Sequence, residues 1–125
     1  MPKINVLGVN ISTWNYEKIF SKIQHFLRDG KQHYIVTPNP EIILRSSMPQ
    51  RSDEELRYTL NRADIAIADG VGVKLAGYLL GVSIPRITGA DIAPEILKIA
   101  EREGKKIGII KPVKSLATAK EIDNA

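Results

Sequence analysis

The period of the apolar positions changes several times along the chain, and each change marks an element. From Lys3 to Ser12 the run KINVLGVNIS is apolar and β-branched, which predicts a strand with Gly8 and Asn10 as candidates for a bend or tight turn. In STWNYEKIFSKIQHFLRDGK the residues Trp14, Ile19, Ile23, Phe26 and Leu27 recur at helical spacing. That segment predicts a helix capped by Ser12 or Thr13 and closed by Gly30. Tyr34-Ile35-Val36 predicts a short strand stopped by Pro38 and Pro40, with a helix following from about Glu41 to Ser47. SDEELRYTLNRA predicts another helix, with Ser52 and Glu55 fitting a capping box and Leu56, Leu60 and Ala63 as its buried stripe. DIAIAD is short, small and unbroken in its apolar run, the pattern of a strand buried on both faces. GVGVKLAGYLLG and ADIAPEILKIAEREGKK then predict helices, the latter ended by Gly104, and KIGII predicts a further buried strand.

Strands separated repeatedly by helices predict an α/β fold, Rossmann-like, with a largely parallel sheet and helices on both faces. Ligands of such sheets bind beyond the carboxyl ends of the strands. Thr37 and Asn39 follow one predicted strand and Asp69 follows another, so parallel strands would place all three on one rim.

Composition narrows the chemistry that rim can perform. The chain has 125 residues, enough for one domain with a real core, and 43% hydrophobic against 26% charged residues is an ordinary globular balance. There is no cysteine, which removes disulfides, thiolate metal sites and cysteine nucleophiles. The histidines are His25 and His33, with no metal-binding spacing around them, so no metal is expected. A formal charge of +4 suits a phosphate-bearing partner, or lysines that merely keep helix surfaces wet. No long run of like charge is present, and the aromatics sit at core spacing, so nucleic acid is not an expected partner. MPKINVLGVN lacks the apolar stretch of a signal peptide, and no segment is long and apolar enough to span a bilayer. A cytoplasmic protein is expected, with any membrane contact peripheral.

Each candidate residue has two readings. Asp69, at a strand end beside Gly70 and Gly72, could act as a general base or hold a sugar hydroxyl, or it could only cap the helix after it. In TPNPE the prolines present Asn39 and Thr37 rigidly, as a recognition loop would, while Asn39 is also a natural cap before Pro40 at the first helical position. Arg86 could grip a diphosphate or be a surface arginine ahead of a helix opened by Thr88-Gly89. The glycines at 70, 72 and 77 do not match the dinucleotide fingerprint, and neither a phosphate loop nor a GxSxG elbow occurs.

The order of the motifs is more specific than any one of them. INVLGVNIS, HYIVTPNPEIIL, RADIAIADGVGVKLAGYLLG, RITGADIAPEIL and KKIGII, in that sequence, resemble the WecG/TagA/CpsF glycosyltransferases, glycosyltransferase family 26, from about Lys3 to Ile110. The resemblance implies transfer of an N-acetylmannosamine-type sugar from a UDP-sugar donor to a lipid-linked acceptor at the cytoplasmic membrane face. It implies inversion, no metal and no other cofactor, and a place in wall teichoic acid, enterobacterial common antigen, capsule or exopolysaccharide synthesis. By the same resemblance Asp69 is the catalytic base, Thr37 and Asn39 line the pocket with Gly70 and Gly72, and Arg86 lies near the UDP diphosphate.

Two departures from the family pattern stand out. Ala68 takes the place of a proline before the Asp-Gly pair. After KIGII the family continues through a glycine turn and roughly as much chain again, whereas here the sequence runs KPVKSLATAKEIDNA. The expectation is a 1–110 N-terminal α/β part of the glycosyltransferase domain and a 111–125 divergent tail, in a truncated or frameshifted product. Such a product would keep the site residues with little transfer activity of its own. The competing expectation is a non-catalytic UDP-sugar-binding or assembly module that forms a homo-oligomer through an exposed strand edge, or an inactive remnant.

Overall fold

The computed structural model describes residues 2–47, 53–85 and 87–110, apart from the side chain of Val71. The first predicted strand is a β-hairpin. β1 (Lys3–Val6) and β2 (Val9–Ser12) pair antiparallel, Val6 opposite Val9, around a turn in which Leu7 and Gly8 have φ of +50° and +87°. Two consecutive left-handed residues match the right-handed twist of the flanking strands. Glycine adopts that conformation freely, but leucine does so at a cost of roughly 1–2 kcal/mol. Asn5 offsets part of this cost, since its Oδ1 accepts from Gly8 N at 3.0 Å. Asn61 then ties the hairpin to the following layer, donating to Gly8 O and accepting from Asn10 N, both at 2.8 Å.

The helices Pro40–Ser47 and Gly89–Arg102 start at the expected caps Asn39 and Thr88, whereas two others start one to three residues away from theirs. Helix α1 (Tyr16–Phe26) is capped by Asn15, whose Oδ1 accepts from Lys18 N at 3.0 Å. Ser12 is committed elsewhere, its Oγ accepting from Ala66 N at 3.0 Å, and Thr13 Oγ1 donates to Pro2 O. Helix α2 spans Pro40–Ser47. Helix α3 (Glu54–Arg62) is capped by Asp53, not by Ser52, which lies outside the described residues. Asp53 Oδ1 accepts from Leu56 N at 2.9 Å, and a carboxylate there also favours the positive end of the helix dipole.

The parallel part of the fold is compact. β3 (Ile35–Val36) pairs in parallel with β4 (Ile65–Ala66), Ile35 beside Ile65 and Val36 beside Ala66. Backbone bonds prolong this pairing at both ends, Asp64 N to Tyr34 O at 3.1 Å and Ile67 N to Val36 O at 2.8 Å. The described chain thus holds one antiparallel and one parallel pair in place of a single largely parallel sheet. Helix α4 (Val71–Leu79) and helix α5 (Gly89–Arg102) complete the described elements.

The run IAIA divides the core by strand alternation. Ile65 and Ile67 face a cluster with Ile19 and Ile23 of α1, Ile87, and Ile92 of α5. Ala66 and Ala68 face the other cluster, with Val6, Val9 and Ile11 of the hairpin, Ile43 of α2, Leu60 of α3 and Val73 of α4. The small side chains lie on the side where the hairpin packs against β4, and the large ones on the side of α1 and α5. Helices therefore cover both faces, as the unbroken apolar run predicts.

KIGII, by contrast, is not a strand. Residues 105–110 form no helix or strand and are exposed, with Ile110 fully so. The apolar pattern is sufficient for a strand only where a neighbouring strand offers its edge, and β3 and β4 among the described residues pair only with each other. The sequence of the expected tail, 111–125, lies outside the described residues.

At the amino ends of β3 and β4 a charged clamp fastens α1 to the sheet. His33 Nε2 is 2.8 Å from Asp29 Oδ2, its Nδ1 is 3.0 Å from Asp64 Oδ1, and its ring stacks on Phe26 at 3.9 Å. Ionised carboxylates only accept, so both contacts are hydrogen bonds when the ring is a doubly protonated imidazolium. The Asp64 hydrogen bond, with that of Asp29, accordingly raises the His33 pKa above its ordinary 6.5 despite partial desolvation. Asp29 is held below its ordinary value first by the Lys31 N–H and then by His33, and Asp64 is lowered first by His33 and then by the Tyr34 N–H. A raised histidine pKa contributes stability that is complete below about 6.5 and is lost as pH rises through the folded value. The lowered carboxylates contribute above about 3.8 and lose it as pH falls through their folded values. The melting temperature is expected to peak between these limits and to fall on the alkaline side. In His33→Asn that alkaline fall should disappear, which thermal unfolding at a series of pH values measures.

Candidate active site

Because β3 and β4 run parallel, their carboxyl ends open on one rim. Thr37 follows β3 directly, and Asp69 follows β4 after the buried pair Ile67-Ala68. Asp69 N donates to Pro38 O at 3.0 Å, so the backbone on either side of the rim is pinned together. The sequence reading placed Thr37, Asn39 and Asp69 side by side, and the register of the parallel pair brings their backbones to that arrangement.

The two polar candidates differ in whether they cap a helix. Asn39 caps α2, its Oδ1 accepting from Ile42 N at 2.9 Å while Ile43 N donates to its backbone carbonyl. The donor identity fixes the amide orientation and leaves the Asn39 NH₂ as the group available to a ligand. Asp69 does not cap α4. The cap residue is Gly70, in an extended left-sided conformation with φ +103°, and no side chain accepts from the first turn of the helix. Asp69 therefore stands one residue before the helix, half-buried, and no described residue hydrogen-bonds its carboxylate.

Three helices begin along this rim, α2 at Pro40, α4 at Val71 and α5 at Gly89. Two have side-chain caps: Asn39 serves α2, and Thr88 with Asp91 forms a full capping box on α5, Asp91 N donating to Thr88 Oγ1 at 3.2 Å and Thr88 N to Asp91 Oδ2 at 2.9 Å. The first turn of α4 has no side-chain cap among the described residues, which leaves its N–H groups at the positive end of the helix dipole.

Glycines bring these helix starts close to the loop. A Cβ on Gly72 would lie 2.8 Å from Pro40 Cγ, and one on Gly70 3.5 Å from Pro40 Cδ, so α4 begins in contact with the proline ring. Gly72 is thus a close-approach position, and Gly70 is required for its positive φ. Arg86 lies outside the described residues. The sequence reading missed the uncapped first turn of α4, for which the only signal was a glycine where a capping side chain is usual.

Beside the rim, Pro40 and Gly72 also border a shallow apolar cavity of about 160 Å³ with Val6, Leu7, Ile43, Leu44, Val73 and Ala76. A cavity of about 530 Å³ runs along the solvent face of α1 by Trp14, Lys18 and Lys22, and it shares no residue with the rim. Among the described residues no three His, Asp or Glu side chains are grouped to hold a metal ion, and no helix is long and apolar enough to cross a membrane.

The described residues thus form an α/β protein with Asp69 and an uncapped helix start on one strand rim, and comparison with known proteins gives this protein a family. The model of the glycosyl transferase WecG/TagA/CpsF family matches residues 4–119, and the chain belongs to that family. It is also similar to an N-acetylglucosaminyldiphosphoundecaprenol N-acetyl-beta-D-mannosaminyltransferase of Bacillus spizizenii strain W23, 31% identical over 83 residues. That match takes in 66% of this chain and 31% of the relative, so the aligned part is about a third of the relative's length.

Proposed function

We propose that this chain carries the base-bearing rim of a site that transfers an N-acetylmannosamine-type sugar from a UDP-sugar to a lipid-linked acceptor, for bacterial cell-wall polymer or exopolysaccharide synthesis. The observation that carries the reading is Asp69: a carboxylate at the carboxyl end of β4, released from capping by Gly70, next to a helix start that has no side-chain cap among the described residues. The relative's name describes mannosaminyl transfer to a lipid diphosphate, which supplies the substrate class.

In this mechanism the acceptor hydroxyl is oriented by the Asn39 NH₂, while the Thr37 hydroxyl donates to the diphosphate of the UDP-sugar donor. The acceptor proton passes to Asp69 while the acceptor oxygen attacks the anomeric carbon of the donor. The bond from that carbon to the UDP oxygen breaks on the opposite face, inverting the centre, and UDP leaves with the bonding pair. The N–H groups at the start of α4, with Arg86, balance the charge that develops on the diphosphate. The chemistry assigns no step to a metal, and the enzyme would work at the cytoplasmic membrane face where the acceptor resides.

Thr37 and Gly70 are exposed, so the rim admits water and its transfer rate is expected to be low. Calorimetric titration with UDP and single-turnover transfer from UDP-N-acetylmannosamine to a lipid-linked N-acetylglucosaminyl diphosphate, with protein in excess, test the reading. Saturable UDP binding with slow transfer is the expected result. Absence of both overturns it. Binding without transfer favours a non-catalytic UDP-sugar-binding module, the reading to which the openness of the rim lends weight.

A further inference from the structure

We propose that Gly89 is a positioning residue that locks the side-chain rotamer of Thr37 and so aims its hydroxyl into the site; the ligand half of this inference rests on the function proposed above. A Cβ at position 89 would lie 2.7 Å from Thr37 Cγ2, 3.4 Å from its Cβ and 3.5 Å from its Oγ1. The methyl of Thr37 thus occupies the space that only a glycine leaves, and its hydroxyl takes one of the remaining staggered positions.

Threonine has three substituents on Cβ, and χ1 decides which of them faces a neighbour. With glycine at 89 the methyl fits there. With alanine the methyl is excluded, and the relief must come from the softest coordinate. The backbone of Thr37 is stiff, because Pro38 follows it and Val36 O is bonded by Ile67 N at 2.8 Å. The start of α5 is stiff as well, held by the Thr88–Asp91 capping box and by buried Ile87 and Ile92 on either side. Rotation about χ1 is what remains, turning the hydrogen on Cβ toward residue 89 and carrying the hydroxyl about 120° away from its native direction.

The helix itself gives no reason for glycine at this place. Gly89 is the first helical residue, its φ is not in the left-handed region, and alanine is the better helix former. The cost of Gly89→Ala is therefore carried by the contact with Thr37. Thr37→Ser supplies the compensation, since it removes the methyl and keeps the hydroxyl.

The test uses the full chain, labelled with ¹⁵N and ¹³C, and reads Thr37 χ1 from the three-bond couplings of its Cγ2 to the backbone N and C′. The expected result is one fixed rotamer in the native protein and a different or averaged one in Gly89→Ala. Unchanged couplings in Gly89→Ala, or averaging already in the native protein, overturn the lock. UDP titration then reads the consequence. Gly89→Ala should weaken affinity about tenfold, the loss of one well-aimed hydrogen bond to a charged ligand, while Thr37→Ser, which keeps the hydroxyl but loses the methyl that Gly89 seats, should fall between Gly89→Ala and native. The double variant Gly89→Ala/Thr37→Ser should return to the Thr37→Ser value, and a melting temperature of Gly89→Ala above the titration temperature shows that the single variant is folded when it is read. Equal affinity in Gly89→Ala and native protein, with the rotamer changed, overturns the assignment of the hydroxyl to the donor. If the native protein does not bind UDP, the proposed function fails, and the couplings alone decide the lock.

Discussion

Asp69→Asn is expected to slow sugar transfer by about 10²- to 10⁴-fold, the usual contribution of a positioned general base. Asparagine is nearly isosteric and uncharged, and its amide cannot take the acceptor proton at neutral pH. The carboxylate makes no hydrogen bond with a described residue and does not cap α4, so its replacement removes no partner among the described residues. UDP affinity and melting temperature should therefore stay close to native while the single-turnover rate collapses. A comparable loss of melting temperature would identify Asp69 as a structural residue, and an unchanged rate would remove it from the mechanism.

Ile65→Ala is expected to destabilise the fold by about 2–5 kcal/mol, a large part of the roughly 5–15 kcal/mol that holds a domain of this size. Ile65 is fully buried, belongs to the parallel ladder beside Ile35, and packs in the cluster made by α1 and α5. Its truncation opens a cavity between elements that the ladder prevents from closing in. Ile110→Ala is the matched control: the same atoms are removed from a side chain that is fully exposed, and the change should stay within about 0.5 kcal/mol. Urea unfolding of the two variants measures the difference. Near-equal midpoints would refute the division of the core at β4.

The sequence pattern was most informative where one residue type has one use. IAIA announced a strand buried on both faces, because no exposed face would be made of those side chains, and both clusters meet there. TPNPE announced a helix start at Pro40, and the motif order announced the family. It was least informative where a residue has several partners to choose from. Ser12 is a good cap by chemistry, but its hydroxyl is taken by Ala66 N, and Asn15 caps α1 instead. Leu7-Gly8 carries half of the usual signal for a tight hairpin, which accounts for a hairpin that looked like one bent strand. KIGII shows the limit of periodicity, since a strand pattern needs a neighbouring edge and the pattern does not say whether one exists. For the site, the backbone placement of Thr37, Asn39 and Asp69 followed from parallel strands alone. The freedom of the Asp69 carboxylate depended on the φ of Gly70, and the Thr37–Gly89 contact joins distant parts of the chain. Neither leaves a local trace in the sequence.

The alternation of isoleucine and alanine along β4 has a consequence for how this segment can change length. Deleting or inserting one residue between Asp64 and Asp69 would turn the strand over, pressing isoleucines against the hairpin and leaving alanines against α1 and α5. A two-residue change would restore the faces but slide the carboxylate roughly 7 Å along the strand axis, at about 3.3 Å per residue. The same spacing thus sets both the layering of the core and the reach of the carboxylate, so descendants of this chain can vary β4 in letter but not in length.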